Sequence, residues 1–187
     1  MANASGTLGT RAAALGTTTV AMWVVHAIEM LVPGEFALAH GIIPRTWEGI
    51  RAIPIAPFLH ADLGHLAANT IPFLILGALV LIGSVGEFLF VVAVSALVGG
   101  AGIWMFGAGN AHHIGASGVI FGLFGYLVAR SLYDHRWSSL LIAIGVALGY
   151  GTAMLYSLVP DAGISWTAHF FGLCGGVMAA RMRFRRR

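Results

Sequence analysis

Six stretches of this chain, roughly 12–32, 65–83, 87–107, 115–133, 137–159 and 165–183, are apolar for close to the length a helix needs to cross a bilayer. Inside lipid no water satisfies backbone N–H and C=O groups. Spans therefore close their hydrogen bonds internally, as helices or as sealed barrels. Runs of this length select helices. The expected fold class is all-α: one polytopic membrane domain over 1–187, a six-transmembrane-helix bundle. Composition supports this, because charged residues are only 9% of the chain, against roughly 25% in ordinary soluble domains. So few charges could not clothe a water-facing surface.

The basic residues fix an orientation. All ten are Arg. Arg11, Arg130, Arg136 and the five Arg from Arg181 to Arg187 fall on one side of the bundle, while Arg45 and Arg51 fall on the other. The positive-inside rule then places both termini in the cytoplasm of a cell membrane, in agreement with an even number of spans. The tail RMRFRRR supplies the net charge of +3. Beside a membrane helix it reads as an anchor to anionic lipid rather than a nucleic-acid site. The lone Cys174 excludes an intramolecular disulfide and a cysteine-cluster metal site. The start, MANASGTLGTR, has no basic region followed by a short apolar core, so no cleavable signal is expected.

One connection is long. Residues 33–64, PGEFALAHGIIPRTWEGIRAIPIAPFLHADLG, hold Pro33, Pro44, Pro54 and Pro57, which forbid a continuous helix. Irregular backbone at membrane depth is held by protein contacts rather than lipid, and ordered loops of this length are usually functional.

Polar side chains within spans are costly and usually face the bundle interior. His26 and Glu29 lie in the first span, His65 and Asn69 in the second, Ser117 in the fourth and His169 in the sixth. His65 and Asn69 are about 40° apart on one helix face. Together with Ser117 and His169 they fall at similar depth near the outer surface, on three different helices. Gly118/Gly122 and Gly172/Gly176 are small-xxx-small pairs that permit close backbone approach. Close approach of those two helices would bring the Ser117 hydroxyl within reach of the His169 imidazole. A serine hydroxyl becomes a nucleophile when a neutral histidine accepts its proton. No acid adjoins His169: Asp161 is in the preceding loop, so the arrangement is a dyad rather than a triad. The Ser117 N–H at a helix start, the His65 ring and the Asn69 amide are candidate oxyanion donors.

The segments HADLGHLAANT (60–70), GASGVIFG (115–122) and AHFFGLCGG (168–176), in that order, resemble the rhomboid intramembrane serine proteases in their minimal six-helix form. The resemblance implies that Ser117 is the nucleophile and His169 the general base. It implies that His65 and Asn69 line the oxyanion hole, and that His60 helps to fix the long first loop. Gly115, Phe121, Gly172 and Gly176 would support the site. The implied partners are transmembrane protein substrates within the bilayer, cut at small residues, with no metal or cofactor. The position four after the serine, often Tyr in the family, is Phe121 here, so its support of His169 would be apolar. The Trp-Arg pair often found in the family's first loop is replaced by Ile50-Arg51.

Other readings compete. Ser117 alone could be helix-packing glue, and His65 with Asn69 an interhelical hydrogen-bond pair. A non-catalytic relative would bind membrane helices as an adaptor, but such a protein needs neither half of the dyad. A His-ligated cofactor or transport protein could use His65 and His169, yet leaves GASG without a purpose. His112 and His113 read as exposed loop residues, and His26 with Glu29 as a buried pair. Cys174 lies about 140° around its helix from His169, which disfavours a cysteine nucleophile. The zinc-protease signature HExxH is absent.

Overall fold

The computed structural model describes residues 6–32, 34, 36–109, 111–159 and 165–185. Pro33, Asp161, Arg186 and Arg187 lie outside the described residues. The long helices are α1 (Leu8–Leu31), α4 (Leu63–Leu81), α5 (Val85–Phe106), α6 (Ser117–Asp134), α7 (Trp137–Tyr156) and α8 (Trp166–Phe184). Between α1 and α4 lie two short helices, α2 (Phe36–Ala39) and α3 (Trp47–Ala52), and a 3-10 turn over Ala56–Phe58. Each long helix falls on one of the six apolar stretches, with ends shifted by a few residues.

Local chemistry sets the helix starts. Asp62 caps α4 by accepting from the His65 N–H at 2.8 Å. Ser84 caps α5 by accepting from the Glu87 N–H at 3.0 Å. Ser165 opens α8 by accepting from the Ala168 N–H at 3.4 Å. Such caps satisfy one of the orphan donors at a helix start. Helix α6 has no side-chain cap at Ala116, so its first N–H groups stay open to other partners.

Helix α6 is the centre of the bundle. It packs most extensively on α8, then on α7, α5 and α4, and buries Val119, Ile120, Phe121, Leu123, Tyr126 and Leu127. The outer helices do the reverse. Val20, Leu31, Leu141, Leu148 and Leu155 are all exposed on α1 and α7, an apolar surface far wider than water tolerates. Among the described residues four helices, α1, α4, α5 and α7, are long and apolar enough to cross a membrane. Helices α6 and α8 are of similar length; α6 is enclosed by α4, α5, α7 and α8, while α8 packs on α5 and α6 and leaves Phe170, Val177 and Met178 exposed. The molecule is a multi-pass membrane protein.

Charges gather at one end. The Arg130 guanidinium meets Glu87 at 3.0 Å and Asp134 at 3.0 Å, and the Ser139 hydroxyl donates to Asp134 at 2.5 Å. This ties the start of α5, the end of α6 and the start of α7 together. The starts of α4, α6 and α8 lie at the opposite end of their helices, and that end carries His65, Asn69, Ser117 and His169.

Candidate active site

Ser117 is the first residue of α6 and is half-buried. The turn before it depends on Gly115, whose φ of +109° is a conformation that side-chain-bearing residues rarely adopt. Gly115 is also pinned from outside: its N–H donates to the Ala56 carbonyl at 2.9 Å. A Cβ at this position would lie 2.8 Å from Cε1 and Nε2 of His65 and 4.0 Å from Nδ2 of Asn69. The His65 ring and the Asn69 amide thus converge on the turn that leads into Ser117. Asn69 is buried, and its Nδ2 donates one hydrogen to the His65 carbonyl at 2.9 Å, leaving the second for another acceptor.

His169 sits one turn into α8 and is buried. Its ring stacks on Phe121 with centroids 4.2 Å apart and planes 3° from parallel. Phe121 is one turn after Ser117, so this stack couples the two helices at the depth of the serine. The His169 Nδ1–H donates to the Ser157 carbonyl at 2.8 Å. A carbonyl only accepts, so the neutral ring carries its proton on Nδ1 and keeps the Nε2 lone pair for a proton from elsewhere. Among the described residues the Ser117 hydroxyl makes no hydrogen bond, to His169 or to any other group. Catalytic hydrogen bonds are often long in ligand-free proteins and tighten on substrate binding.

Backbone contact holds α6 and α8 together. A Cβ on Gly172 would collide with the Gly118 carbonyl, and one on Gly176 with the Gly122 carbonyl. Both small-xxx-small pairs are therefore used, each against the other.

His60 is 1% exposed. Its Nδ1–H donates to the Phe58 carbonyl at 3.2 Å, and its ring stands edge-on to His65 at 5.1 Å. Burial, then the neighbouring His65, pushes its pKa down to about 4. The unfolded chain, with an ordinary histidine pKa near 6.5, binds a proton that the folded state refuses between those values. Stability should therefore fall as pH drops from about 6.5 towards 4, by up to about 3 kcal/mol from this group. Thermal unfolding in detergent at pH 7.5 and pH 4.5 checks this: His60→Phe should lose less melting temperature on acidification than the wild type.

Several contacts were not foreseen from the sequence. His113, expected to be an exposed loop residue, is buried, because its backbone pairs with Ile42 in an isolated bridge. Its Nδ1 shares a 2.7 Å hydrogen bond with Ser165, the cap of α8, so it fastens the start of the helix that carries His169. Burial lowers its pKa. His112 is exposed as expected and bonds the Leu38 carbonyl. Arg51 stacks over Trp47, 5.4 Å from the ring centroid; aromatic and cation stand one helical turn apart in α3. His26 and Glu29 form the expected buried pair at 3.1 Å. Cys174 is exposed.

Comparison with known proteins agrees with this arrangement. The family model for the Rhomboid domain matches residues 46–186. An uncharacterized protein of Mycobacterium tuberculosis is 34% identical over 178 residues, covering 89% of this chain and 74% of that protein. An uncharacterized protein of Mycobacterium leprae is 38% identical over 138 residues, 68% of this chain and 54% of that protein. A Bacillus subtilis protein named "Putative rhomboid protease YdcA" is 35% identical over 126 residues, 64% of this chain and 60% of that protein. The matched region takes in the Gly115 turn, the stacked Phe121–His169 pair and the glycine contacts between α6 and α8, and on that extent the chain belongs to the rhomboid family.

Proposed function

We propose that the protein is an intramembrane serine endopeptidase that cuts transmembrane segments of other membrane proteins through a Ser117–His169 dyad. The observation that carries this reading is the state of His169. Its Nδ1–H is committed to the Ser157 carbonyl and its face to Phe121, one turn from Ser117. That leaves Nε2 as the basic atom.

Ser117 Oγ attacks the carbonyl carbon of the scissile peptide while His169 Nε2 takes the hydroxyl proton. Negative charge collects on the former carbonyl oxygen. The open N–H at the start of α6, the His65 ring and the free Asn69 amide hydrogen stabilise it. As the C–N bond breaks, the imidazolium returns its proton to the leaving amine. Water then attacks the acyl-serine while His169 again accepts a proton, and as the acyl C–Oγ bond breaks the imidazolium returns that proton to Ser117 Oγ. His65, Asn69 and the Ser117 N–H act at the oxyanion, Gly115 shapes the turn that presents them, and Phe121, Gly172 and Gly176 hold the two halves of the dyad in register. His60 supports the 54–60 segment. All six long helices would span the bilayer, with both termini in the cytoplasm and the site open to the outer face, where water is available.

A fluorophosphonate probe tests the assignment. In wild-type protein the adduct should map by mass spectrometry to Ser117, and His169→Ala should not label. An adduct at any other residue, or none, would remove the serine-protease reading. Asn69→Ala should cost less than loss of the dyad, about 10²-fold in cleavage rate, as for one oxyanion donor. Steady-state cleavage of a transmembrane reporter measures this.

A further inference from the structure

A cavity of about 280 Å3 lies between α1, α4, α5 and the start of α6. Helix α1 contributes Thr18 and Met22, α5 contributes Ala93 and Leu97, and the inner wall is Ala116 and Val119 of the α6 entry. It is almost wholly apolar. Thr18 carries a hydroxyl, but this already donates to the Ala14 carbonyl at 2.9 Å.

Each possible occupant makes a different demand. Water needs two to four polar partners, and these walls offer little beyond an acceptor lone pair on the Thr18 hydroxyl. The space opens to the outer surface where Pro54, Ala93 and Leu97 are exposed, and it is nearly twice the apolar cavity of about 150 Å3 that admits benzene. A substrate helix, about 10–12 Å across, is too thick to enter. The surrounding medium supplies the remaining candidate. Leu97 at the cavity wall is 59% exposed and Val20 on α1 is 58% exposed, so both helices bordering the cavity face lipid.

We propose that this cavity binds the hydrocarbon tail of a membrane lipid. The gain is dispersion contact along a wall that otherwise has no neighbour, since hydrocarbon leaves one apolar medium for another. The position gives the tail a consequence. Ala116 immediately precedes Ser117, and Pro57 and Phe58 of the same lining precede His60. A bound tail therefore braces the backbone that carries both residues. The proposal depends on the membrane location of the chain and not on proteolysis.

Photolabelling tests it in liposomes of phosphatidylcholine bearing a diazirine near the tail end. Met22 is 1% exposed, so a lipid carbene reaches it only through the cavity. Adducts should appear on Met22, more sparsely than on the freely exposed Leu148 of α7. Ala93→Phe, which fills the cavity from α5, should reduce the Met22 adduct about tenfold and leave Leu148 unchanged. Thr18→Phe fills it from α1 and serves if the first variant does not fold. Labelling of Leu148 without Met22, or Met22 labelling indifferent to both fillings, would overturn the proposal. So would labelling of Met22 by a water-soluble diazirine. The readout is adduct position, which stays interpretable in a protein that cleaves nothing.

Discussion

Ser117→Ala should lower cleavage of a transmembrane reporter in proteoliposomes by about 10⁴-fold or more, and His169→Ala by a similar factor. The double variant should be no worse than either single one. Nucleophile and base act as a unit, so removing the second half of a broken dyad costs little more. The fold should survive the serine change. Ser117 is half-buried and its hydroxyl holds no neighbour among the described residues, so alanine removes no packing contact and opens no orphan partner. His169→Ala is different, because it abandons the Phe121 stack and the Ser157 carbonyl, and its melting temperature should drop. Measuring cleavage and thermal unfolding on the same preparations separates chemistry from stability. A Ser117→Ala protein that cleaves at the wild-type rate ends the case for a serine mechanism.

The two halves of the proposed dyad are singled out by residue type and expected depth, because polar groups are rare in spans. The pairing of α6 with α8 was equally visible in the spacing of Gly118, Gly122, Gly172 and Gly176. What fixes the tautomer of His169 was not visible. Its partner is a backbone carbonyl at Ser157, twelve residues earlier and just past the end of α7, and a carbonyl leaves no mark on residue identity. The misjudged exposure of His113 has a similar cause: a single bridge to Ile42, across more than seventy residues, buries it. Arg130 illustrates a third limit. Counting it as a topology signal was consistent with its position, but its ion pair with Glu87 joins residues 43 apart, which no local pattern encodes. Periodicity reports which face is apolar. It does not report which polar group waits across the gap.

Gly172→Val should be among the most damaging single changes outside the proposed dyad. A Cβ at Gly172 would press on the carbonyl oxygen, carbonyl carbon and Cα of Gly118, the residue after the nucleophile. Overfilling a packed site usually costs 1–3 kcal/mol. Here the obstacle is backbone, which cannot rotate aside, so the cost should reach about 3 kcal/mol or more. For a chain of this size that is about 10 °C in melting temperature. Gly149→Val is the matched control, since nothing lies within 4 Å of a Cβ at Gly149 on α7; it should shift melting little. The two variants add the same side chain to a membrane helix, so any difference isolates the α6–α8 contact. Cleavage should fall further in Gly172→Val than its lost folded fraction explains, because the surviving molecules hold His169 displaced from Ser117, and misplacement of about 1 Å can cost about 10²-fold in rate. Equal melting temperatures for the two variants would mean that the helices can part at no cost, and the geometry that aligns the dyad would then lie elsewhere.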